Sequence, residues 1–389
     1  MRIAFYGGGF NPPHLGHAEV LRSVMEELKP DRLLVLPDRQ SPHKELPEGS
    51  PTPEERMELC RLAFGEIPGV ELSDLCYRHE GPSYTALTVE LLRQEFAGDE
   101  LILVIGTDMF LSFESWYRFE YLLEQCTLAV LAREEDDGDA LRAQKSLLEE
   151  RCGARVELLS HAPLPMSSSQ IRQLLPRRLG ADLLDERVYS QIIRNRWYHA
   201  LPELSWLREK AYAMVDEKRI AHVAGCESEA VSLAMRWGED PEAAATAGIL
   251  HDITKSLSLE EQLNLCEKYG IINDHAELES PQILHAKTGA VLARDLFGAE
   301  ERVCEAIRWH CTGKADMTLL EKIVWLADYI EPTRDFDEVE PVRALAYEDL
   351  DRALALALQN TLEHIERKGK TPYQDTVEAC RYLQQEDAT

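Results

Sequence analysis

The sequence predicts two units of different class: an α/β unit built on a largely parallel sheet, followed by an all-α unit. Three observations carry this. Up to about residue 165, short β-type runs alternate with helix-type stretches; after Tyr198 there is no convincing β run, and apolar residues recur at helical spacing. A chain of 389 residues with 44% hydrophobic content can also bury more than one core, since domains usually span ~100–200 residues.

The strands expected in the first unit are RIAFYG (2–7), RLLVLP (32–37), LILVIG (101–106), TLAVLA (127–132) and RVELLS (155–160). They read as buried on both faces, so helices should cover both sides of the sheet, with a ligand crevice at the strands' C-terminal ends. The glycine turn at 7–9 lies at such an end. In the second unit, helices are expected over 204–215, 219–237, 242–250, 286–297, 302–309, 319–330 and 349–365. The boundary is expected near His199–Glu203, where Pro202 can open a helix at its first turn, giving units 1–200 and 201–389. The acidic run EEDDGD (134–139) reads as a solvated loop.

The formal charge of −28 argues against nucleic acid or an anionic membrane as partner. An anionic small molecule would need local positive features: amide nests, helix N-termini, a few Arg or Lys, or metal ions. No apolar run reaches 18 residues, and MRIAFYGGGFNPPHLGH reads as a strand entering a glycine turn rather than a leader, so we expect a soluble, cytoplasmic protein. Nine cysteines with no C-x-x-C pair fit reduced thiols. The sequence leaves a homo-oligomer open.

GGGFNPPHLGH (7–17) places three glycines after a strand, then His14 and His17 around Gly16 at the start of a helix. Glycines let amides converge on phosphate oxygens, the helix N-terminus adds positive potential, and residues three apart share a helix face. Both imidazoles can therefore address one phosphorus.

This stretch and SSSQIR (167–172) resemble the nucleotidylyltransferase superfamily. SPHK (41–44), SYTALTVEL (83–91), GTDMF (106–110), SWYRFEYLL (115–123) and ERVYSQIIRNRWY (186–198) narrow the resemblance to bacterial nicotinate-nucleotide adenylyltransferase, over roughly residues 1–198. The resemblance implies a Rossmann-like fold and transfer of AMP from ATP, with magnesium, to nicotinate mononucleotide, releasing pyrophosphate. It implies that Gly7, Gly8, Gly9, Phe10 and Asn11 line the nucleotide, that His14 and His17 donate to phosphate oxygens, and that Arg172, beside Ser168 and Ser169, clamps the leaving pyrophosphate. Lys44 with His43 would hold the acceptor phosphate; Trp116 would stack on the nicotinate ring, and amides near Thr85 and Tyr117 would meet its carboxylate. Asp108, just after Gly106, is read either as a contact to adenosine or magnesium or as a helix N-cap.

The second unit holds His222, the doublet His251–Asp252, His285, His310 and Asp328 in helical segments. Imidazoles and carboxylates suit borderline divalent metals, and the two oxygens of Asp252 can bridge two ions, the arrangement used for phosphoryl hydrolysis. The order H…HD…H…H…D, carried by RIAHVAG (219–225), AGILHDITK (247–255), ILHAKTGA (283–290), AIRWHCTGK (306–314) and WLADYIEPTRDF (325–336), resembles the HD-domain family of symmetrical diadenosine-tetraphosphate hydrolases, over roughly residues 203–380. The resemblance implies a di-metal centre, with iron expected and manganese, cobalt or zinc as alternatives, and cleavage of diadenosine tetraphosphate to two ADP. One ion would be held by His222, His251, Asp252 and Asp328, the other by Asp252, His285 and His310, with Lys255 and Arg334 neutralising phosphate charge. Cys311 reads as a small buried residue.

Rivals to these readings are pantetheine-phosphate adenylyltransferase and the cytidylyltransferases for the first unit. For the second, they are a broader nucleotidase or alarmone hydrolase, and a regulatory module that binds nucleotides without cleaving them.

Overall fold

The structure is a computed structural model describing residues 1–40, 45–78, 81–131, 138–160, 164, 166–271 and 281–386. The chain divides into two compact units, Met1–Leu201 and Pro202–Thr389. No helix of the described residues is long and apolar enough to cross a membrane.

The first unit contains β1 (Arg2–Gly8), α1 (Leu15–Glu27), β2 (Arg32–Pro37), α2 (Pro53–Phe64), β3 (Val70–Leu72), α3 (Thr85–Glu95), β4 (Glu100–Gly106), α4 (Thr107–Leu111), α5 (Phe119–Gln125), β5 (Cys126–Leu131), α6 (Gly138–Cys152), β6 (Arg155–Leu159), α7 (Ser168–Leu174) and α8 (Glu186–Asn195). The six strands form one parallel sheet in the order β3-β2-β1-β4-β5-β6. Successive side chains of a strand point to opposite faces, and the core divides accordingly. Ile3, Phe5, Leu103 and Val130 pack on Val89 of α3, Leu122 of α5 and Leu148 of α6. Ala4, Leu33, Val104 and Ala129 pack on Leu21 and Val24 of α1 and Phe64 of α2. Helices thus cover both faces, as the uniformly apolar strands predict.

Strand order reverses between β1 and β4, and the C-terminal ends of these two strands open the crevice such a reversal creates. The expected glycine turn is shorter than the sequence suggests. Gly7 and Gly8 still pair with Leu36 and Pro37 of β2, so only Gly9 lies past the strand.

The sheet has one strand more than the sequence reading, because β3 is a three-residue edge element, too short to show a period. The expected acidic loop is also cut short: residues 132–137 lie outside the described residues, and Gly138 and Asp139 open α6, where Asp139 suits the positive end of the helix.

The second unit is helical: α9 (Leu204–Tyr212), α10 (Ile220–Trp237), α11 (Pro241–Leu250), α12 (Leu259–Tyr269), α13 (Pro281–Phe297), α14 (Glu301–Trp309), α15 (Leu319–Ile330), α16 (Val339–Ala346), α17 (Leu350–Arg367) and α18 (Gln374–Glu386). Three of these, α12, α16 and α18, add to the seven expected helices. A local start signal for α12 was present, since Ser258 and Glu261 form a reciprocal capping box. Both Asp240, which accepts from the Glu242 amide ahead of α11, and Thr318, capping α15 with Glu321, fix helix starts in the same way.

Alanines dominate the contact between α10 and α11, and at Gly248 the two backbones approach so closely that a Cβ would stand 2.7 Å from the Glu227 Cα. Gly248→Ala must therefore separate the helices. We expect it to destabilise the second unit by about 1–3 kcal/mol, read as a lower denaturant midpoint for that unit; an unchanged midpoint would contradict the packing described.

Candidate functional sites

The first unit encloses a cavity of about 820 Å³ lined by Gly7, Gly8, Gly9, Phe10, Asn11, His14, His17, Thr85, Gly106, Asp108, Trp116, Tyr117, Ser168, Ser169 and Arg172. These are all the sequence-predicted residues of this unit except His43 and Lys44, which lie outside the described residues.

His14 is the N-cap of α1, and its amide donates to Nδ1 of His17 at 3.2 Å. A neutral His17 is thereby held in the tautomer that carries its proton on Nε2, a donor. The two imidazoles stack with ring centroids 3.6 Å apart. Gly16 permits this arrangement: a Cβ there would stand 2.9 Å from the Met166 side chain and 3.2 Å from the His14 ring. Phe10 is buried against Tyr6, His17 and Phe64, bracing His17 from beneath.

The loop after Gly9 is tied down from distant parts of the chain. Arg172 donates through Nη1 to the Asn11 carbonyl at 2.5 Å and through Nη2 to Ser169 Oγ at 3.0 Å. Ser168 donates to the Pro12 carbonyl at 2.9 Å. Asn11 donates to Ser50 Oγ at 3.0 Å and accepts from Tyr198 Oη at 2.6 Å, so its side chain is a tie between segments. Trp116, half-buried on Phe113, and Tyr117, exposed beside Tyr84, line the same cavity. Gly106 is the N-cap of α4, and Asp108 is an exposed residue of its first turn rather than the cap.

Arg56 was not legible in the sequence as part of this site. It is 1% exposed and donates to the carbonyls of Gly9 at 2.6 Å and Arg39 at 3.0 Å, placing a buried cation beneath the glycine loop. Nothing in its surroundings in the sequence separates it from a surface arginine of an amphipathic helix.

In the second unit, five helix ends converge. His222 sits in the first turn of α10, His251 and Asp252 follow α11, His285 lies on α13, His310 ends α14, and Asp328 is in the last turn of α15. Asp252 stands at the centre. Its Oδ2 is 3.4 Å from His222 Nε2 and 3.3 Å from His251 Nε2; its Oδ1 is 3.0 Å from His285 Nε2 and 3.8 Å from His310 Nε2. Asp328 Oδ1 is 3.2 Å from His222 Nε2. The six residues thus fall into two groups sharing one carboxylate.

Partners outside the cluster set the rings. His251 Nδ1 donates to the Gly248 carbonyl at 2.8 Å and His310 Nδ1 to the Ile307 carbonyl at 2.6 Å, because a carbonyl can only accept. His222 Nδ1 lies 3.0 Å from Oε1 of Glu331, a fully buried carboxylate that also accepts from the Thr333 amide at 2.6 Å. With Nδ1 committed, each Nε2 faces carboxylate oxygens, a position in which a proton or a cation can sit between them. The donor set fits divalent ions.

The charges respond accordingly. Burial opposes ionisation of Asp252, yet His251, His222 and His285 hold it well below the usual carboxylate range. Burial likewise opposes Asp328, which His222 and Arg334 hold well below that range. Burial works against the charged form of His222, but Asp252, Asp328 and Glu331 raise its pKa to about 9. Burial pushes His285 down toward the neutral form a ligand requires.

Arg334 donates to Asp328 Oδ1 at 2.5 Å and Lys255 Nζ lies 3.2 Å from His285 Nε2, so both flank the cluster. Two further residues belong here that sequence reasoning did not single out. Arg219, three residues before His222, contacts Asp252 Oδ2, and Glu331 closes the shell as described. Both lie inside motifs quoted above, but a carboxylate behind an imidazole leaves no spacing signature of its own. Cys311, expected to be buried, is only partly buried.

The cytidylyltransferase-like family matches residues 5–174 and the HD domain family residues 219–333. A Pseudomonas syringae protein named "Probable nicotinate-nucleotide adenylyltransferase" is 35% identical over 185 residues, covering 45% of this chain and 82% of its own length. A Bacillus subtilis protein named "Bis(5'-nucleosyl)-tetraphosphatase, symmetrical" is 37% identical over 184 residues, covering 45% of this chain and 97% of its own. A crystal structure from Clostridium acetobutylicum, described as an HD superfamily hydrolase involved in NAD metabolism, is 35% identical with a TM-score of 0.47, covering 48% of this chain and 100% of that one.

Asp38, on the lining of the first cavity, has its carboxyl pushed up to about 7 by burial, with Arg56 acting the other way. The unfolded carboxyl ionises near its ordinary 3.8. The stability contributed by the retained proton is therefore complete below about pH 4 and is lost as pH rises through about 7. Asp38→Asn should raise the melting temperature relative to the parent at about pH 8 and not at about pH 4. A shift independent of pH would contradict the burial argument.

Proposed function

We propose that this chain, whose first unit belongs to the nicotinate-nucleotide adenylyltransferase family and whose second belongs to the HD-domain family of symmetrical bis(5'-nucleosyl)-tetraphosphatases, catalyses both reactions at separate sites. In the first, AMP passes from ATP to nicotinate mononucleotide. In the second, diadenosine tetraphosphate is split to two ADP.

For the first site, the observation that carries the reading is the single cavity joining the glycine loop, the histidine pair and Arg172 to Trp116. The acceptor phosphate is itself the nucleophile, so the protein's work is to position two anions and to stabilise charge on the transferred phosphoryl. His17, with its Nε2 proton, and His14 donate to phosphate oxygens. Arg172 braces the Asn11 carbonyl and presents its guanidinium to pyrophosphate. Trp116 offers a flat face to the pyridine ring, while amides near Thr85 and Tyr117 take its carboxylate. His43 and Lys44 are assigned to the acceptor phosphate, and magnesium accompanies ATP.

For the second site, the carrying observation is Asp252 with one oxygen on each of two imidazole pairs. His222, His251, Asp252 and Asp328 would hold one divalent cation, and Asp252, His285 and His310 the other, iron being the first expectation. Such a pair supplies Lewis acidity and an activated water for phosphoryl hydrolysis. Lys255, Arg334 and Arg219 surround it with charge for the polyphosphate, and Glu331 keeps the His222 ring turned inward.

The test uses paired assays on the full chain. Turnover should favour nicotinate mononucleotide over nicotinamide mononucleotide and phosphopantetheine, and metal-loaded protein should release two ADP per diadenosine tetraphosphate. His17→Ala should lower adenylyl transfer by about 10²–10³ without touching hydrolysis, and Asp252→Ala should do the reverse. A preference for phosphopantetheine, or tight nucleotide binding with no ADP released, would overturn the corresponding half.

A further inference from the structure

The geometry points to Cys311 as a fourth ligand, through its thiolate, of the cation held by Asp252, His285 and His310. The inference rests on the di-cation reading of this site. Cys311 follows His310 at the end of α14, and its Sγ lies 3.2 Å from His310 Nε2 and 3.4 Å from His285 Nε2. Those two nitrogens are 3.2 Å apart, and Asp252 Oδ1 is 3.0 Å and 3.8 Å from them. Four tetrahedral donors bonded at ~2.1 Å through nitrogen or oxygen and ~2.3 Å through sulfur stand ~3.3–3.6 Å from one another. The five separations run from 3.0 to 3.8 Å about that range, and His285, His310 and Cys311 form one group of donors close enough to share an ion. The sulfur thus meets the inward-facing Nε2 atoms of two rings at once. Its other neighbour, the Gln282 carbonyl, is 3.7 Å away, long for a thiol donor.

Cys226 provides the internal contrast. It is buried one turn after His222, with Sγ 3.8 Å from Nδ1 and 3.7 Å from Nε2 of that ring. Nearly equal distances to both nitrogens put the sulfur against the ring rather than on the lone pair. Cys226 Sγ also stands 3.9 Å from Asp328 Oδ1, so it is farther from the donors of the first subsite than Cys311 is from those of the second, and the sulfur is assigned to the second. As Cys311 binds, its proton leaves to solvent and a sulfur–metal bond forms. A softer second subsite selects zinc, iron or cobalt, whereas the first also accepts manganese.

Cobalt(II) absorption on the full-length chain tests this, because a thiolate ligand adds a sulfur-to-cobalt charge-transfer band that imidazole and carboxylate do not. The parent and Cys226→Ser, each loaded to two equivalents, should show the band. Cys311→Ser should lose it while still binding cobalt. A band that persists in Cys311→Ser, or disappears in Cys226→Ser instead, overturns the assignment. Two bound ions without any sulfur band in the parent overturn it while sparing the di-cation reading; a parent that takes up no cobalt removes both.

Discussion

A single carboxylate organises the second unit. Asp252 is 1% exposed and faces four imidazole nitrogens, two on each oxygen. Leaving an ionised carboxylate unpaired at such depth would cost several kcal/mol, so positive charge must reach it, and Arg219 contacts its Oδ2. Helices end around it: His251 and His310 follow the last turns of α11 and α14, where each ring's Nδ1 satisfies a terminal helix carbonyl and its Nε2 is turned inward. Helix capping and ligand orientation are thus one and the same hydrogen bond. The close approach at Gly248, and that at Gly225, where a Cβ would stand 2.4 Å from Glu331, follow from drawing these ends together.

The first unit meets the demand for positive charge differently. In a chain of net charge −28, an anionic substrate meets long-range repulsion and must be held by short-range donors. The sheet supplies them at its reversal point, where β1 and β4 diverge and the loop after Gly9 turns into α1. Arg56 beneath the loop, Arg172 across it and the Tyr198–Asn11–Ser50 chain hold that loop from three sides. Guanidinium and hydroxyl donors fix the loop in one unit, whereas imidazoles and carboxylates gather a set of metal-ligating groups in the other.

Much of this was legible in the sequence because the informative residues were close together or uniform in type. Apolar strands such as LILVIG and helices such as α10 carry their own period, and GGGFNPPHLGH brings three glycines and two histidines of one cavity into eleven residues. The edge strand β3 was not legible, since three residues cannot display alternation, nor was α16, whose eight residues offer barely two turns. Support residues were hidden for a different reason. Arg56 and Glu331 matter through burial, and a charged side chain carries no mark in sequence that says it will be enclosed. Cys311 was misjudged because the rule that free thiols are buried speaks to average burial, whereas Cys311 is only partly buried.

The most direct test of the account is anomalous X-ray diffraction from crystals of the metal-loaded chain, with data collected across the absorption edge of the bound metal. The account predicts two peaks per chain, one on each side of the Asp252 carboxylate. A single peak, or ions bound elsewhere with the imidazoles facing an empty centre, would contradict it.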